Sequence, residues 1–310
     1  MTSIREAYGQ TLVRLAEKRD FFVMDADLAE ATKTSLFRDA YPQRFIDMGI
    51  AEANMFCHAA GMAACGAAVF ASTFSSFAAG RAYDQIRNSI AYPGNHVIIA
   101  ATHNGVLVGP DGGSHQCIED ISLMCAIPGM TVICPSDPRE TAAFVEAALD
   151  AEGPVYLRLG RSPVPDIFPE TESFSIGKGN VVRDGSDAVI FSVGETTWRV
   201  LEAADILKAS GIELAVISLA SLKPVDHELI VRYAKRTGRV FTLEDHVLHG
   251  GLGSIVCQSL CRYFPCKVNM LGINDRFGMS GSPDELAREY GIDSQSVAEA
   301  VVKAVKNSCP

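Results

Sequence analysis

Length, composition and charge limit the classes of protein to which the chain can belong. Its 310 residues suffice for two α/β domains, and 48% hydrophobic with 21% charged residues is typical of a globular protein rather than a disordered one. The net charge of −10 argues against nonspecific binding to nucleic acid or to an anionic membrane. No apolar run reaches the ~20 residues of a membrane span, and the beginning of the chain lacks the apolar core of a signal peptide. We therefore expect a cytoplasmic protein.

Short apolar runs alternate with amphipathic stretches along the whole chain. In the first half, these patterns predict strands at 21–27, 67–73, 96–102, 131–136 and 155–159, and helices at 5–17, 52–64, 77–91 and 138–149. In the second half, they predict strands at 187–194, 213–220, 239–245 and 267–273, and helices at 196–209, 226–236, 252–263 and 294–306. Continuous apolar strands that alternate with helices indicate parallel sheets covered on both faces. The sequence therefore predicts an α/β fold of two doubly wound, mainly parallel-sheet domains.

A stretch without sustained periodicity separates the two halves. It is rich in Pro, Glu, Gly and Ser, as expected of a linker that crosses between domains. We predict a first domain at 1–165, a linker at 166–186 and a second domain at 187–310.

The spacing of possible metal ligands argues against a metal site. None of the nine cysteines has CxxC spacing, and such an odd, irregular set is typical of reduced thiols. His103 and His115 lie on one predicted loop, but the sequence shows no obvious third ligand. We expect no metal ligands in this chain.

The segment FIDMGIAEANM places Glu52 at the start of a predicted helix. Its neighbours Ala51, Ala53 and Met55 indicate a buried setting, where a carboxylate is costly unless it is protonated or strongly hydrogen-bonded. Two interpretations remain open on this segment alone. Glu52 is either a reactive carboxylate or a helix N-terminal residue that the helix dipole stabilises.

Aromatic and polar residues follow the next predicted strands, where ligands bind in open α/β sheets. Phe74 and Phe77 have a spacing that can form an aromatic wall, although ordinary core packing explains them equally. The loop in ATHNGVLVGPDGGSHQCIED is rich in glycine, which indicates close approach of its backbone to another group. Its His103, Asp111 and His115 suit proton transfer or recognition of hydroxyl and phosphate groups, and a purely structural loop is the alternative.

Arginines stand near the same predicted edge. Arg5, Arg158 and Arg161 are suited to bidentate binding of phosphate. As surface residues they would need no further explanation, so they do not identify a site by themselves.

Several segments together resemble the C-terminal half of transketolase, in the same order and over nearly the whole chain. They are GIAEANM, STFSSFAAGRAYDQIR, THNGVLVGPDGGSHQCIED, PGMTVICPSDPRE, EDHVLHGGLGSIV and DRFGMSGSPDELAREYGI. The resemblance implies a pyrimidine-binding domain followed by a transketolase C-terminal domain. It also implies thiamine diphosphate-dependent transfer of a two-carbon ketol unit from a ketose, typically a phosphate, to an aldose.

The resemblance assigns cofactor-binding roles to four residues. Glu52 matches the glutamate that hydrogen-bonds N1′ of the cofactor's aminopyrimidine and activates it. Phe74 and Phe77 match the aromatic pocket around that ring. Asp27 matches an aspartate that lies near the cofactor across a dimer interface.

The resemblance also implies the substrate site. His103 and His115 match catalytic histidines that contact substrate hydroxyls and phosphate, and Asp111 matches an aspartate that binds a substrate hydroxyl. Arg5 and Arg158 are the nearest counterparts of phosphate-binding arginines. Arg161 replaces Arg158 if the alignment is shifted.

The part of transketolase that holds the cofactor diphosphate through Mg²⁺ is not recognisable here. Its Gly-Asp-Gly…Asn motif has only RDGSD and PDGGS as near matches, and neither follows an apolar strand with a suitable asparagine downstream. We therefore expect an N-terminal transketolase subunit to carry the diphosphate and Mg²⁺ site. The resemblance implies an α2β2 assembly in which this chain forms a homodimer.

One departure and three alternatives remain open. Ala31 occupies the place of a phosphate-contacting serine, and Glu30 beside it carries a charge that disfavours an anionic substrate. The alternatives are the β subunit of a 2-oxoacid dehydrogenase, a fragment of a deoxyxylulose phosphate synthase, and a non-catalytic scaffold subunit. The histidines of the loop favour transketolase over the first, and the retained Glu52 argues against the last.

Overall fold

A computed structural model describes residues 1–306, so the last four residues, including Cys309, lie outside the described residues. The strands are β1 (Thr2–Ser3), β2 (Phe22–Asp25), β3 (Phe45–Asp47), β4 (Val69–Phe74), β5 (Val97–Thr102), β6 (Thr131–Ile133), β7 (Val155–Leu159), β8 (Pro163–Val164), β9 (Asn180–Arg183), β10 (Ala188–Ser192), β11 (Leu214–Ser218), β12 (Ser221–Lys223), β13 (Val240–Val247) and β14 (Val268–Ile273). The α-helices are α1 (Ile4–Ala16), α2 (Ala29–Thr32), α3 (Ser35–Ala40), α4 (Glu52–Ala64), α5 (Tyr83–Gln85), α6 (Asp120–Ala126), α7 (Pro138–Leu149), α8 (Thr197–Ala209), α9 (His227–Thr237), α10 (Leu252–Tyr263), α11 (Pro283–Glu289) and α12 (Ser294–Lys306).

The first domain is built on a seven-stranded sheet with the order β12-β6-β7-β5-β4-β2-β3. All neighbours pair in parallel except β12, which runs antiparallel to β6. The central strands β4, β5 and β7 are buried along their whole length because helices cover both faces. Side chains of α1 and α7 pack on one face, and those of α4 and α6 pack on the other.

The second domain is built on a five-stranded sheet with the order β14-β13-β10-β11-β9. It is parallel except for the edge strand β9, which runs antiparallel to β11. The helices α8 and α12 cover one face, and α9 and α10 cover the other. The predicted fold of two doubly wound, mainly parallel-sheet domains is therefore confirmed. Within residues 1–306, no helix combines the length and apolarity needed to cross a membrane.

Among residues 1–306, five short strands were not predicted, namely β1, β3, β8, β9 and β12. Two of these, β9 and β12, form antiparallel edges of the two sheets. Asn180–Arg183, inside the predicted linker 166–186, forms β9 at the edge of the second sheet. Ser221–Lys223, from the second half of the chain, forms β12 at the edge of the first sheet. Both strands are short and antiparallel, so neither has the continuous apolar run that identified the central strands.

The predicted helix at 77–91 is largely π-helical. The segments Phe77–Arg81 and Ile86–Ala91 flank the short α5, and the amide of Ala82 bonds the carbonyl of Phe77 at 3.1 Å. A π turn adds a residue to each hydrogen-bonded ring, which apolar spacing alone does not reveal. Such turns are frequent at functional sites.

Burial shifts the pKa of Glu140, which lies in the first turn of α7. Its Oε2 accepts the Ser136 amide at 2.6 Å, and its Oε1 has no hydrogen-bond partner among the described residues. Burial raises the pKa of Glu140 to about 8, although the Ser136 amide opposes this shift. The ordinary pKa of a glutamate, 4.5, applies to the unfolded chain. Between this pH and about 8, the folded state therefore holds a proton that the unfolded chain has released. The free energy of unfolding falls as pH rises through this window.

We expect Glu140→Gln to remove this contribution to the pH dependence. The free energy of unfolding, measured by urea denaturation between about pH 6 and pH 8, should fall less steeply in the variant, by up to ~1.4 kcal/mol per pH unit. Glu146→Gln on the exposed side of the same helix is the control. Burial also raises the pKa of Glu195 and of Glu244 to about 8, so the difference between variant and wild-type slopes is the informative quantity. Equal slopes would contradict the assignment.

Candidate active site

The residues singled out by the sequence gather at the carboxyl edge of the first sheet. Asp27 follows β2, Glu52 opens α4 after β3, Phe74 ends β4, and His103 follows β5. Arg161 follows β7. The carboxyl ends of parallel strands meet at one edge, which is where open α/β sheets bind their ligands.

Glu52 is buried, with 2% of its surface exposed, as its apolar neighbours predicted. Its Oε1 accepts a hydrogen bond from Arg81 Nη1 at 2.8 Å, and Arg81 is itself half exposed. The Arg81 guanidinium also lies 4.4 Å from the centre of the Phe77 ring. Arg81 thus joins the carboxylate to the aromatic residues. Sequence reasoning missed it, because the π-helical segment that carries Arg81 sets its position.

The aromatic residues form a wall of stacked rings. The Phe74 and Phe77 rings lie 5.6 Å apart and are 22° from parallel. His103 stacks on Phe74 at 3.9 Å, and His115 meets Phe77 edge-on at 5.6 Å. The wall therefore connects the carboxylate side of the site with the two histidines of the glycine-rich loop.

His103 is held in a defined and neutral state. The residue is buried, has a φ of 59°, and its Nδ1 lies 2.9 Å from Thr102 Oγ1. Its Nε2 lies 3.4 Å from Arg5 Nη1. Burial, with the positive charges of Arg5 and Arg161, lowers the pKa of His103 to about 3. The ring is therefore neutral at physiological pH, and it can accept a hydrogen bond from a bound hydroxyl.

A basic cleft is lined in part by Arg5, whose Nη1 lies 3.4 Å from His103 Nε2. Its volume is about 380 Å³, and Lys33, Arg161 and Glu6 also contribute to its lining, with Lys33 paired to Glu6 at 3.6 Å. Arg161 pairs with Asp111 at 3.6 Å and donates to the carbonyl of Val108, so it also contacts the histidine-bearing loop. Cationic side chains of this kind are suited to an anionic ligand.

The structure does not bring Arg158 to this cleft. Its Nε donates to Asp120 Oδ2 at 2.9 Å, and its Nη2 donates to the carbonyl of Asp245 at 2.9 Å. The side chain is 2% exposed, so its guanidinium is directed to protein groups. Because Arg158 lies within β7 while Arg161 follows it, only Arg161 lies beside Arg5. We therefore replace Arg158 by Arg161 in the candidate site.

Three other residues that the sequence singled out, Asp27, Glu30 and Ala31, have defined contacts. The charge of Glu30 is directed to Arg38, at 2.9 Å, which reduces its effect on an anionic ligand. Ala31 contributes its carbonyl, which accepts from Arg5 Nη1 at 2.7 Å. Asp27 is exposed, with a φ of 63°, and its amide donates to Asp47 at 3.2 Å.

The described part of the chain offers no metal centre. In residues 1–306, no group of three or more His, Cys, Asp or Glu side chains is arranged to hold a metal ion. The eight described cysteines are free thiols.

Two family models match the chain. Residues 1–166 match "Transketolase, pyrimidine binding domain", and residues 177–297 match "Transketolase, C-terminal domain". The chain belongs to the transketolase family. Its candidate site therefore lies within residues 1–166, the part of the chain that matches the pyrimidine-binding domain.

Individual relatives resemble the chain over its whole length. A putative transketolase C-terminal section from Methanocaldococcus jannaschii is 43% identical, over 98% of this chain and 96% of the relative. A 6-deoxy-6-sulfo-D-fructose transketolase subunit from Clostridium sp. is 37% identical, over 96% of this chain and 92% of the relative. A solved split gene transketolase, described as an inactive beta4 tetramer, is 48% identical, with a TM-score of 0.91 and 99% coverage of both chains.

Proposed function

We propose that this chain is the pyrimidine-binding subunit of a thiamine diphosphate-dependent transketolase, which transfers a two-carbon ketol unit from a ketose, typically a phosphate, to an aldose. The observation that carries the proposal is the buried Glu52 carboxylate, which Arg81 joins to the Phe74–Phe77 wall. A carboxylate beside stacked rings suits a flat heteroaromatic ring with polar nitrogens on its edge.

The residues present fit the aminopyrimidine half of the cofactor. Phe74 and Phe77 provide apolar faces, and Glu52 provides an oxygen for the ring nitrogen N1′. Asn104, beside His103, adds a buried Nδ2 donor without a partner among the described residues. When bound, thiamine diphosphate supplies the nucleophilic carbon and the electron sink for cleavage of the donor's carbon–carbon bond. Glu52 holds the proton shared with N1′, and the phenylalanines exclude water from that bond.

The histidine-bearing side of the site binds the sugar. Neutral His103 accepts a hydrogen bond from a substrate hydroxyl at Nε2, which replaces the long contact of 3.4 Å with Arg5 Nη1. His115 faces the same aromatic wall. Asp111 is placed by its ion pair with Arg161 and binds a further hydroxyl. Arg5 and Arg161 bind the anionic end of the substrate in the basic cleft. The relative that acts on a sulfosugar also has a substrate with an anionic end.

The second half of the cofactor requires a partner. We infer that an N-terminal transketolase subunit holds the diphosphate and Mg²⁺, since the two family models that match this chain describe a pyrimidine-binding and a C-terminal domain. The descriptions "C-terminal section" and "split gene" of two similar proteins support this division. We propose an α2β2 assembly in which Asp27 of one copy of this chain lies near the cofactor activated by the other copy.

Reconstitution tests the proposal. The purified chain is mixed with the candidate N-terminal subunit, thiamine diphosphate and Mg²⁺, and ketol transfer from xylulose 5-phosphate is followed. We expect transfer only when both subunits are present. Activity of this chain alone, or the absence of activity with every N-terminal subunit from the same organism, would contradict the proposal. Decarboxylation of a 2-oxoacid without ketol transfer would support the dehydrogenase alternative instead.

We expect Arg161→Gln to weaken binding of phosphorylated donors. A hydrogen bond to a charged group contributes enough free energy that KM for xylulose 5-phosphate should rise roughly 10- to 100-fold. KM for hydroxypyruvate, a ketol donor without phosphate, should change little. Steady-state kinetics of the reconstituted enzyme give both values, and Arg87→Gln on the exposed surface is the control. An equal rise for both donors would show that Arg161 does not bind the anionic end.

A further inference from the structure

We propose that the C-terminal domain positions the histidine-bearing loop of the active site, and that Asp245 is the positioning residue. The histidine loop is defined as residues 103–119, and the anchor segment as Glu244–Val247 at the end of β13. The role rests on the proposed function, because it concerns the side chains that would contact the sugar. It goes beyond that function, since it gives the second domain a part in substrate binding.

The start of the histidine loop is bonded to the Asp245 carboxylate. Oδ1 accepts the Val106 amide at 2.8 Å, and Oδ2 accepts the Leu107 amide at 3.0 Å. These two residues begin a single turn of 3-10 helix, whose first amides have no partner within the turn. Asp245 is 4% exposed, so water does not replace either bond. Because a carboxylate has two oxygens, the single Asp245 side chain accepts both amides at once.

Gly105 allows this close approach. A Cβ at Gly105 would lie 2.0 Å from Asp245 Oδ2, and the residue has a φ of +69°. Both the contact and the backbone conformation therefore require glycine. The glycine content of this loop predicted close approach of its backbone to another group, and at Gly105 that group is the Asp245 carboxylate.

The end of the histidine loop is bonded to the neighbouring residues of the same segment. The Val247 amide donates to the Ile118 carbonyl at 2.8 Å. His246 Nε2 accepts the Ser122 amide at 3.4 Å, just beyond the loop in α6. Residues close together at the end of one strand therefore hold both ends of the loop. The part of the loop between these ends carries Asp111 and His115.

One further bond joins the histidine loop to the C-terminal domain. Near the end of the loop, Gln116 Nε2 donates to the Met279 carbonyl at 2.9 Å. Directly after the loop, Arg158 of the first domain donates to Asp120 and to the Asp245 carbonyl, so the first domain also holds the anchor segment. The second domain is therefore bonded to the loop at its start and near its end.

Amide hydrogen exchange on the full chain tests the role without cofactor or partner. In Asp245→Asn the side chain keeps its size, but its amide nitrogen faces one of the two loop amides. We expect peptides that cover 103–119 to exchange at least about tenfold faster, because a bond to a charged acceptor is lost. Peptides of β5 should be unchanged. Asp187→Asn is the matched control, since its carboxylate accepts the Glu213 amide at 2.7 Å away from the loop.

Kinetics of the reconstituted enzyme separate positioning from general destabilisation. We expect Asp245→Asn to raise KM for the sugar about tenfold or more and to change the affinity for thiamine diphosphate less. Of the proposed cofactor contacts only Asn104 lies in the loop, while Glu52 and Phe77 lie outside it. Unchanged exchange, equal acceleration in all peptides, or a parallel loss of cofactor affinity would overturn the role. If Asp245→Asn does not fold, Asp245→Ser, which has one oxygen in place of the two that accept the Val106 and Leu107 amides, should show the same loop-limited acceleration. If the proposed function is wrong, the exchange difference persists while the wild type shows no ketol transfer.

Discussion

Glu52→Gln is expected to reduce kcat of the reconstituted enzyme by about 10²- to 10⁴-fold, the range in which a positioned proton-transfer group contributes. Glutamine keeps the size of the side chain and can still accept the hydrogen bond from Arg81. It cannot hold the proton that, in the proposed function, Glu52 shares with N1′ of the cofactor ring. The loss should therefore lie in kcat, with the affinity for substrate largely retained.

The rate of hydrogen–deuterium exchange at the cofactor's thiazolium carbon provides a second readout for Glu52→Gln. This rate should fall in parallel with kcat, because it reports the activation step directly. Glu30→Gln is the matched control, since that glutamate is exposed and bonded to Arg38. The free energy of unfolding should change little, because glutamine can keep the hydrogen bond from Arg81 and removes the cost of a buried charge. Unaltered kcat and exchange would refute the assignment of Glu52.

Arg158→Met is expected to lower the free energy of unfolding by about 3–5 kcal/mol, the typical cost of breaking a buried ion pair. Asp120 is fully buried and accepts from Arg158 and from the Tyr156 hydroxyl, at 2.9 Å in each case. Without the guanidinium, its negative charge has only a neutral partner. The carbonyl of Asp245 loses its hydrogen bond as well.

Urea denaturation of single and double variants checks the expectation for Arg158. The double variant Arg158→Met with Asp120→Asn should recover part of the loss, because the uncompensated charge is also removed. Arg236→Met, which breaks the exposed pair with Asp184, should cost less than about 1 kcal/mol. An effect of Arg158→Met as small as that of Arg236→Met would show that the buried pair adds nothing to stability.

The fold followed from local patterns because the central strands are buried on both faces. Val97–Thr102 and Ala188–Ser192, for example, are apolar without alternation, and strands of this kind occur in parallel sheets between helices. The edge strands Asn180–Arg183 and Ser221–Lys223 escaped prediction because they are short and their pairing partners lie elsewhere in the sequence. Pairing between distant segments leaves little signal in either segment alone.

Sequence reasoning also found several candidate site residues through the rule that ligands bind at strand ends. It placed Glu52, Phe74 and His103 at one edge, since each adjoins a recognisable strand or helix. It did not distinguish Arg158 from Arg161, because both stand near the end of the same strand. Their roles differ because Arg158 is directed to the buried Asp120, which the sequence alone does not place beside it.

The sequence by itself determined the α/β class, the order of the central elements, the family and the buried setting of Glu52, because these depend on local periodicity and on motifs. Only the tertiary structure decided which charges meet. Arg81 bonds Glu52 from a π-helical segment, and Arg5 lies beside a neutral His103. Asp245 accepts amides of the histidine loop from another domain. Each contact joins residues far apart in the chain, and its energy depends on burial and on distances that only folding establishes.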